Sequence, residues 1–207
     1  MLQNGALTDG SGGIGRVQAK DVLLATSPGR PEYEGRSLAS FVDDWDLPPE
    51  DAAQRIIDEA GEHVYVVIFM MDEGDVRRVL AHPTTMIGTD GIPRGSKPHP
   101  RAWGTYPRIL GKYVRDEGVI SLQDAVRKMS GMPADKFQLA GRGYIREGAF
   151  ADLVVFDPAT VIDTATYENP KTPPTGMPHV IVNGVPVVRD GRHTQARVGR
   201  ALRRGRE

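Results

Sequence analysis

The aspartate at position 90 is the residue whose type and surroundings point most directly to chemistry. Asp90 lies between Gly88 and Gly91, just after a short apolar segment, residues 84–87, that is predicted to be a strand. A carboxylate at the carboxyl end of a buried strand is where α/β enzymes keep a general base. An aspartate that bonds the amides of a turn before Pro93 would give the same sequence pattern. Both interpretations stay open on these residues alone.

A second pattern is a glycine-rich stretch at residues 8–15, which matches G-x-G-x-x-G and resembles the dinucleotide loop of short-chain dehydrogenases. Tyr167 and Lys171 provide a matching Y-x-x-x-K pair. A dinucleotide loop must follow a buried strand, however, and residues 2–8 do not form a convincing one. Pro170 also interrupts the helix that the tyrosine and the lysine would have to share. An NAD(P)-dependent dehydrogenase is therefore the less favoured alternative.

Metal ligands are sparse in this sequence. The five histidines stand at positions 63, 82, 99, 179 and 193, so none are spaced to place two imidazoles on one metal from a single strand or helix. The absence of cysteine excludes disulfides and every zinc site built on sulfur. His82 and His99 each precede a proline in a predicted loop, which favours solvated or backbone-bonded side chains.

The elements that would position Asp90 form a predicted strand–helix–strand unit. Residues 64–69 are β-branched and aromatic without alternation, which predicts a strand buried on both faces. A helix is predicted at residues 75–80, followed by the strand at residues 84–87. Parallel βαβ units of this kind occur in doubly wound sheets and in (β/α) barrels, so the fold class is predicted to be α/β.

Further helices and a β-rich tail complete the predicted organisation. Helical spacing begins at Leu38, resumes after Pro49 and extends through much of residues 105–138, with Ser121 as a helix cap. Beyond about residue 140 the chain is predicted to be β, including a hairpin whose turn is residues 183–184 (Asn-Gly). The predicted division is a loose leader at 1–20, a first domain at 21–140, and a β segment with a basic tail at 141–207.

Composition excludes several classes of protein. The 207 residues include 26 Lys and Arg against 27 Asp and Glu, a net charge of −1 that argues against nucleic acid or an anionic membrane as partner. No apolar run approaches a membrane span, and the N-terminal residues lack the pattern of a signal peptide. A small-molecule partner and a reducing, cytoplasmic location are expected.

Two long stretches, residues 23–41 and 69–204, resemble the C-terminal part of the D-aminoacylase (N-acyl-D-amino-acid deacylase) family of the amidohydrolase superfamily. The resemblance includes the motifs GTDG at 88–91 and HPRAWG at 99–104. It implies a TIM-like barrel whose last strand ends at Asp90, followed by a small β-sandwich. Because a complete barrel takes roughly 250 residues, the barrel is expected to be incomplete here.

The resemblance also implies an activity and site residues. In the family a Zn²⁺-bound water attacks the amide carbonyl of an N-acyl-D-amino acid. Asp90 matches the family's metal-associated general base, and Arg101 matches the arginine that holds the substrate carboxylate. A planar guanidinium suits that task because it can donate two parallel hydrogen bonds to a carboxylate.

The family's H-x-H pair, its metal-bridging cysteine and its two later histidine ligands would all lie before the matched region. The sequence is therefore expected to be a fragment, with zinc binding by this chain in doubt. The alternative function is a non-catalytic structural fragment that associates with itself or a partner through unpaired barrel edges.

Overall fold

The computed structural model describes residues 2–3, 6–7 and 17–205, and these residues form an α/β structure. They divide into two compact units, each assembled from separate stretches of chain. The first unit holds the described residues up to Asp72 together with Asp90–Ala102 and Ala165–Thr172. The second holds Glu73–Thr89, Trp103–Thr164 and the described residues from Pro173 onward. The predicted division at residue 20 and near residue 140 stays a prediction.

The first unit combines short strands with two helices. Its strands are β1 (Leu2–Gln3), β2 (Ala6–Leu7), β3 (Val17–Gln18), β4 (Val22–Thr26) and β5 (Tyr65–Ile68), and its helices are α1 (Leu38–Trp45) and α2 (Pro49–Ala60). Strands β1 to β3 form one antiparallel sheet, and β4 pairs with β5 in another. Strands β1 to β3, of two residues each, lie within the predicted loose leader at 1–20, which stays a prediction. The glycine-rich residues 8–15 lie outside the described residues.

Helices α1 and α2 lie where helical spacing is predicted, from Leu38 and from Pro49. The Ser37 side chain caps α1 by accepting the amide hydrogen of Ser40, and α2 opens on a proline whose missing amide hydrogen is not needed there. Phe41 is fully buried, and its ring lies 4.8 Å from that of Tyr33 and 4.9 Å from that of Trp45. This aromatic cluster forms the centre of the first unit's core.

The predicted parallel βαβ unit was wrong. Strand β5 runs antiparallel to β4, with Val67 opposite Leu23, and it is buried on one face only, since Val66 is 44% exposed and Val67 6% exposed. Residues 84–87 form no strand, because the Ile87 amide donates to the carbonyl of Lys128 in a helical segment. An apolar β-branched run looks alike in either arrangement, so the sequence could not distinguish them. No closed barrel is found among the described strands.

The second unit is a helical layer and a sheet. The helices are α3 (Glu73–Ala81), α4 (Arg101–Arg108), α5 (Leu122–Val126) and α6 (Met132–Phe137). The first two residues of α4 belong to the first unit. Helix α4 continues as a π-helix through Ile109–Asp116, and Arg127–Gly131 is a second π-helical stretch. The predicted helix at 75–80 is confirmed as α3. The predicted Ser121 cap is also confirmed, because its hydroxyl accepts the Asp124 amide hydrogen at 3.1 Å.

The second unit's strands are β6 (Leu153–Val155), β7 (His179–Val182), β8 (Val185–Arg189) and β9 (Arg192–His193), in one antiparallel sheet of that order. Asn183 and Gly184, with φ of 50° and 80°, form the predicted hairpin turn. The described strands of this unit make a single sheet, so the β-sandwich stays a prediction. None of the helices among the described residues has the length and apolar character needed to cross a membrane.

Candidate active site

The structure brings the two predicted site residues together. One Asp90 carboxylate oxygen, Oδ2, lies 2.9 Å from Nη2 of Arg101, and both residues belong to the segment Asp90–Ala102 of the first unit. The Asp90 side chain is 86% exposed and that of Arg101 is 39% exposed. The pair is therefore open to solvent, and a ligand can approach either charge.

A left-handed residue followed by a closely packed glycine stands at the start of this segment. Asp90 has a φ of 45°, a left-handed conformation that aspartate tolerates better than most residues do. Gly91 follows it, and a Cβ on Gly91 would lie 2.8 Å from the Cα of Ala102, closer than side chains approach backbone. The missing side chain at Gly91 thus lets the start of the segment lie against the first turn of α4, where Arg101 begins.

The middle of the segment is anchored to the end of β4. The hydroxyl of Thr26 donates to the carbonyl of Arg94 at 3.0 Å, and the amide of Lys97 donates to the carbonyl of Ala25 at 3.3 Å. Gly95, with a φ of 75°, allows this close approach because a Cβ there would collide with Thr26. The segment is held as a defined loop although its residues form no strand.

Glu34 provides a second anchor. Its carboxylate accepts the amide hydrogen of Ser27 at 2.8 Å and that of Ser96, also at 2.8 Å, and it accepts the Ser96 hydroxyl as well. Burial opposes ionisation of this carboxyl, but the hydrogen bonds from Ser96 and Ser27 outweigh burial and hold the pKa of Glu34 below its ordinary value. Glu34 therefore ties β4 to the Asp90–Ala102 segment as a carboxylate.

His99 forms a hydrogen bond with the backbone of the segment, which is one of the two interpretations that the sequence favours for this residue. Its Nδ1 accepts the amide hydrogen of Arg101 at 3.0 Å, and its Nε2 lies 3.3 Å from the hydroxyl of Tyr167. Burial, and then the positive charge of Arg101, lower the pKa of His99, while Asp90 acts in the opposite direction. The imidazole is consequently held neutral beside the ion pair.

Sequence reasoning missed Tyr167 as part of this neighbourhood. Tyr167 and Lys171 lie in a loop, which confirms the prediction that they share no helix. The Tyr167 ring packs instead against His99, with centroids 5.3 Å apart, and against Phe69, with centroids 4.7 Å apart. The sequence offers no local signal for these contacts, since Tyr167 and His99 are separated by 68 positions.

Chemically, the site offers a base beside a binding group. An exposed carboxylate can accept a proton from water, and a guanidinium can bind a carboxylate in bidentate fashion. In the structure each of the two groups is the other's counterion.

The described residues do not by themselves fit a zinc ion. No group of three or more His, Cys, Asp or Glu side chains that could hold a metal is present in the described part of the chain. Protein zinc sites use three or four such ligands, and here the neighbour of the Asp90 carboxylate is a cation. Zinc ligation by Asp90 therefore stays a prediction.

Comparison with known proteins identifies the family. The amidohydrolase family model matches residues 47–188. A D-aminoacylase from Alcaligenes xylosoxydans xylosoxydans is 48% identical over 179 residues, which is 84% of this chain and 35% of the relative. The chain thus spans about a third of the length of the curated relatives it matches.

Solved structures agree with the sequence comparison. A crystal structure of D-aminoacylase matches 88% of this chain and 38% of its own, with a TM-score of 0.83 and 44% identity. An N-acyl-D-glutamate deacylase from Bordetella bronchiseptica, solved with zinc and a phosphonate inhibitor, matches 84% of this chain and 37% of its own, with a TM-score of 0.77 and 39% identity.

The chain belongs to the amidohydrolase family. Within that family it is similar to the D-aminoacylases and N-acyl-D-amino-acid deacylases, so the resemblance stated from the sequence is confirmed.

Proposed function

We propose that this chain carries the general base and the carboxylate-binding arginine of an amidohydrolase that cleaves N-acyl-D-amino acids. The observation that supports this proposal above all is the 2.9 Å pair of Asp90 and Arg101, two motif residues from separate positions brought together on one anchored loop. The relatives named D-aminoacylase and N-acyl-D-glutamate deacylase supply the substrate class.

In the proposed reaction Arg101 exchanges its bond to Asp90 for bonds to the substrate's carboxylate. Asp90, released from its counterion, takes a proton from the water that attacks the amide carbonyl, so that a C–O bond forms. It then returns that proton to the departing nitrogen as the C–N bond breaks. The products are a carboxylic acid and a free D-amino acid.

The same proposal places the chain within the family fold. We infer that the Asp90–Ala102 segment lies at the site end of a TIM-like barrel to which this chain contributes the final part, although residues 84–87, the expected last strand, form no strand here. The loop is anchored to Ala25 and Thr26 at the carboxyl end of β4, a strand that pairs antiparallel with β5.

The proposal is tested by the release of free D-amino acid from N-acetyl-D-leucine, with added Zn²⁺. Asp90→Asn keeps the shape of the side chain and removes the base, so turnover should fall at least a hundredfold, in line with the loss of a general base. Arg101→Met should raise KM for the acid while leaving hydrolysis of N-acetyl-D-leucinamide, which lacks the carboxylate, near its original rate. If the wild-type chain is folded and neither binds nor cleaves the acid, the proposed function is wrong.

A second function, association through an exposed strand edge, is favoured by a separate observation. Among the described residues β5 pairs with β4 alone, and Val66 and Ile68 on its outer face are 44% and 38% exposed. Open edges with apolar side chains promote pairing with another chain. Light scattering after size exclusion should then show dimers or larger species, and Val66→Lys should shift them to monomer. A monomer across all concentrations would exclude this second function.

A further inference from the structure

His99 makes hydrogen bonds to the first turn of α4, and no sequence motif gives this histidine a function. Its Nδ1 accepts the Arg101 amide hydrogen at 3.0 Å, and its own carbonyl accepts the amide hydrogen of Ala102 at 3.3 Å. The first turn of α4 is therefore bonded twice to this one residue. Pro100, buried between His99 and Arg101, fixes the backbone angle that brings the ring back onto the chain.

This geometry is the one that aspartate and asparagine adopt when their side chains accept the amide hydrogen two residues ahead. A histidine can do the same only through an unprotonated Nδ1. Protonation there would set an N–H against the N–H of Arg101 and would place a positive charge beside the guanidinium. The remaining proton of the neutral ring lies on Nε2, which is the atom that faces the hydroxyl of Tyr167 at 3.3 Å.

The third contact of the His99 ring is with Tyr167, which in turn packs on Phe69. Tyr167 meets the His99 ring edge to face, at an interplanar angle of 77°, and packs at 69° on Phe69. Such contacts restrict the rotation of the imidazole, so that Nδ1 stays directed at the Arg101 amide. The ring is thereby fixed both by a hydrogen bond at Nε2 and by packing on its edge.

We propose that His99, as its neutral Nε2–H tautomer held by Tyr167, is the positioning residue that aims Arg101 at the carboxylate of Asp90 and, in the reaction, at that of the substrate. This inference rests on the proposed function for its second half. It assigns His99 no contact with substrate and no proton transfer, because its two nitrogens are occupied by Arg101 and Tyr167.

Two substitutions separate the tasks of the two nitrogens. His99→Asn keeps an acceptor near the place of Nδ1, and His99→Gln keeps a polar group near the place of Nε2 but loses the acceptor for Arg101. We expect His99→Gln to raise the Kd for N-acetyl-D-leucine about tenfold and His99→Asn to stay within about twofold of wild type, the effect of one hydrogen bond. His63→Gln, at an exposed position outside the site, is the matched control.

A second measurement decides the inference without any ligand. Two-bond ¹H–¹⁵N correlation of the wild-type imidazole should show Nδ1 unprotonated and Nε2 protonated at neutral pH. The Arg101 amide should exchange with solvent faster in His99→Gln than in wild type, and His99→Asn should restore its protection. If the wild-type ring carries its proton on Nδ1, or if His99→Gln leaves the Arg101 amide unchanged, the inference is wrong. Absence of ligand binding by wild type would refute the proposed function, and the tautomer and exchange data would still decide the role of His99.

Discussion

Glu34 offers the sharpest test of how the candidate site is held in place. Its carboxylate accepts the amide hydrogens of Ser27 and Ser96, each at 2.8 Å. Glu34→Gln preserves the length and shape of the side chain but leaves one oxygen where there were two. One backbone amide then faces the NH₂ group of the glutamine and loses its hydrogen bond, because both groups are donors. The other amide still donates to an oxygen, but that oxygen belongs to a neutral group instead of a charged one.

The expected cost follows from these two bonds. A hydrogen bond to a charged group contributes about 1.5–3 kcal/mol and a neutral one about 0.5–1.5 kcal/mol. Losing one charged bond and weakening the other by about 1–1.5 kcal/mol should therefore remove about 2.5–4.5 kcal/mol locally. Because about 1.4 kcal/mol corresponds to a tenfold change, the Ser27 and Ser96 amides should exchange with solvent roughly 60-fold faster or more in the variant.

Hydrogen exchange followed by NMR at neutral pH measures this effect at both amides. Glu32→Gln is the matched control, since Glu32 lies two positions away, is 58% exposed and pairs with Arg30 at the surface. Protection factors that differ less than threefold between Glu34→Gln and wild type would refute the view that Glu34 anchors the loop.

The pH dependence of the same anchor has a definite sign. Because the pKa of Glu34 is lowered in the folded chain, its contribution is complete above the ordinary glutamate pKa of about 4.3 and is lost as the pH falls through the lowered value. The difference in protection between wild type and Glu34→Gln should therefore be constant near neutral pH and should shrink in acid. A difference that grows as the pH falls would contradict the assigned cause.

Two further predictions concern burial and close packing. Lys128 is 1% exposed, and its ammonium group donates hydrogen bonds to three oxygens. Lys128→Met should therefore lower the free energy of unfolding, measured by thermal or urea denaturation, by about 2–4 kcal/mol. The control Lys136→Met, at the surface, should change it by less than about 0.5 kcal/mol. Gly91→Ala places a methyl 2.8 Å from the Cα of Ala102 and should weaken binding of N-acetyl-D-leucine at least about tenfold; Gly88→Ala, which meets open space, should bind as wild type does, and equal affinities would refute the packing argument.

Features with a local cause could be predicted from the sequence. The Ser37 and Ser121 caps, the proline-led start of α2 and the Asn183–Gly184 turn each depend on residues within a few positions of one another. The donor and the acceptor of each hydrogen bond lie within the same short sequence motif, so the motif alone is sufficient to predict the bond.

Features with a distant cause could not be predicted. Strand β5 pairs with β4, which lies some forty positions earlier in the chain. The sequence predicts residues 84–87 as its parallel partner instead, and this prediction is wrong. The bond between Glu34 and Ser96 spans 62 positions and leaves no periodic signal in either stretch. The place of Asp90 after an apolar run predicts a carboxylate at the end of a strand, but that run forms no strand.

The site residues divide in the same way. The motifs predict Asp90 and Arg101 as site residues, and the structure places their side chains in an ion pair. Their roles stay a prediction. His99 precedes Arg101 by two positions and could have been found from the turn that His-Pro-Arg allows. Tyr167 could not, because its place against His99 follows from the path of a loop far along the chain.

The strengths of these interactions explain how the site can be both ordered and exchangeable. An ion pair as exposed as that of Asp90 and Arg101 contributes only about 0–1 kcal/mol, too little to order a loop. Order in the loop comes instead from the half-buried Glu34, from Thr26 and from the close packing at Gly91. Because the pair itself is weak, a substrate carboxylate can displace Asp90 from Arg101 at little cost while the loop keeps both side chains in place. A strong buried pair in the same position would hold the base and the binding group together and would oppose the exchange that the proposed reaction requires.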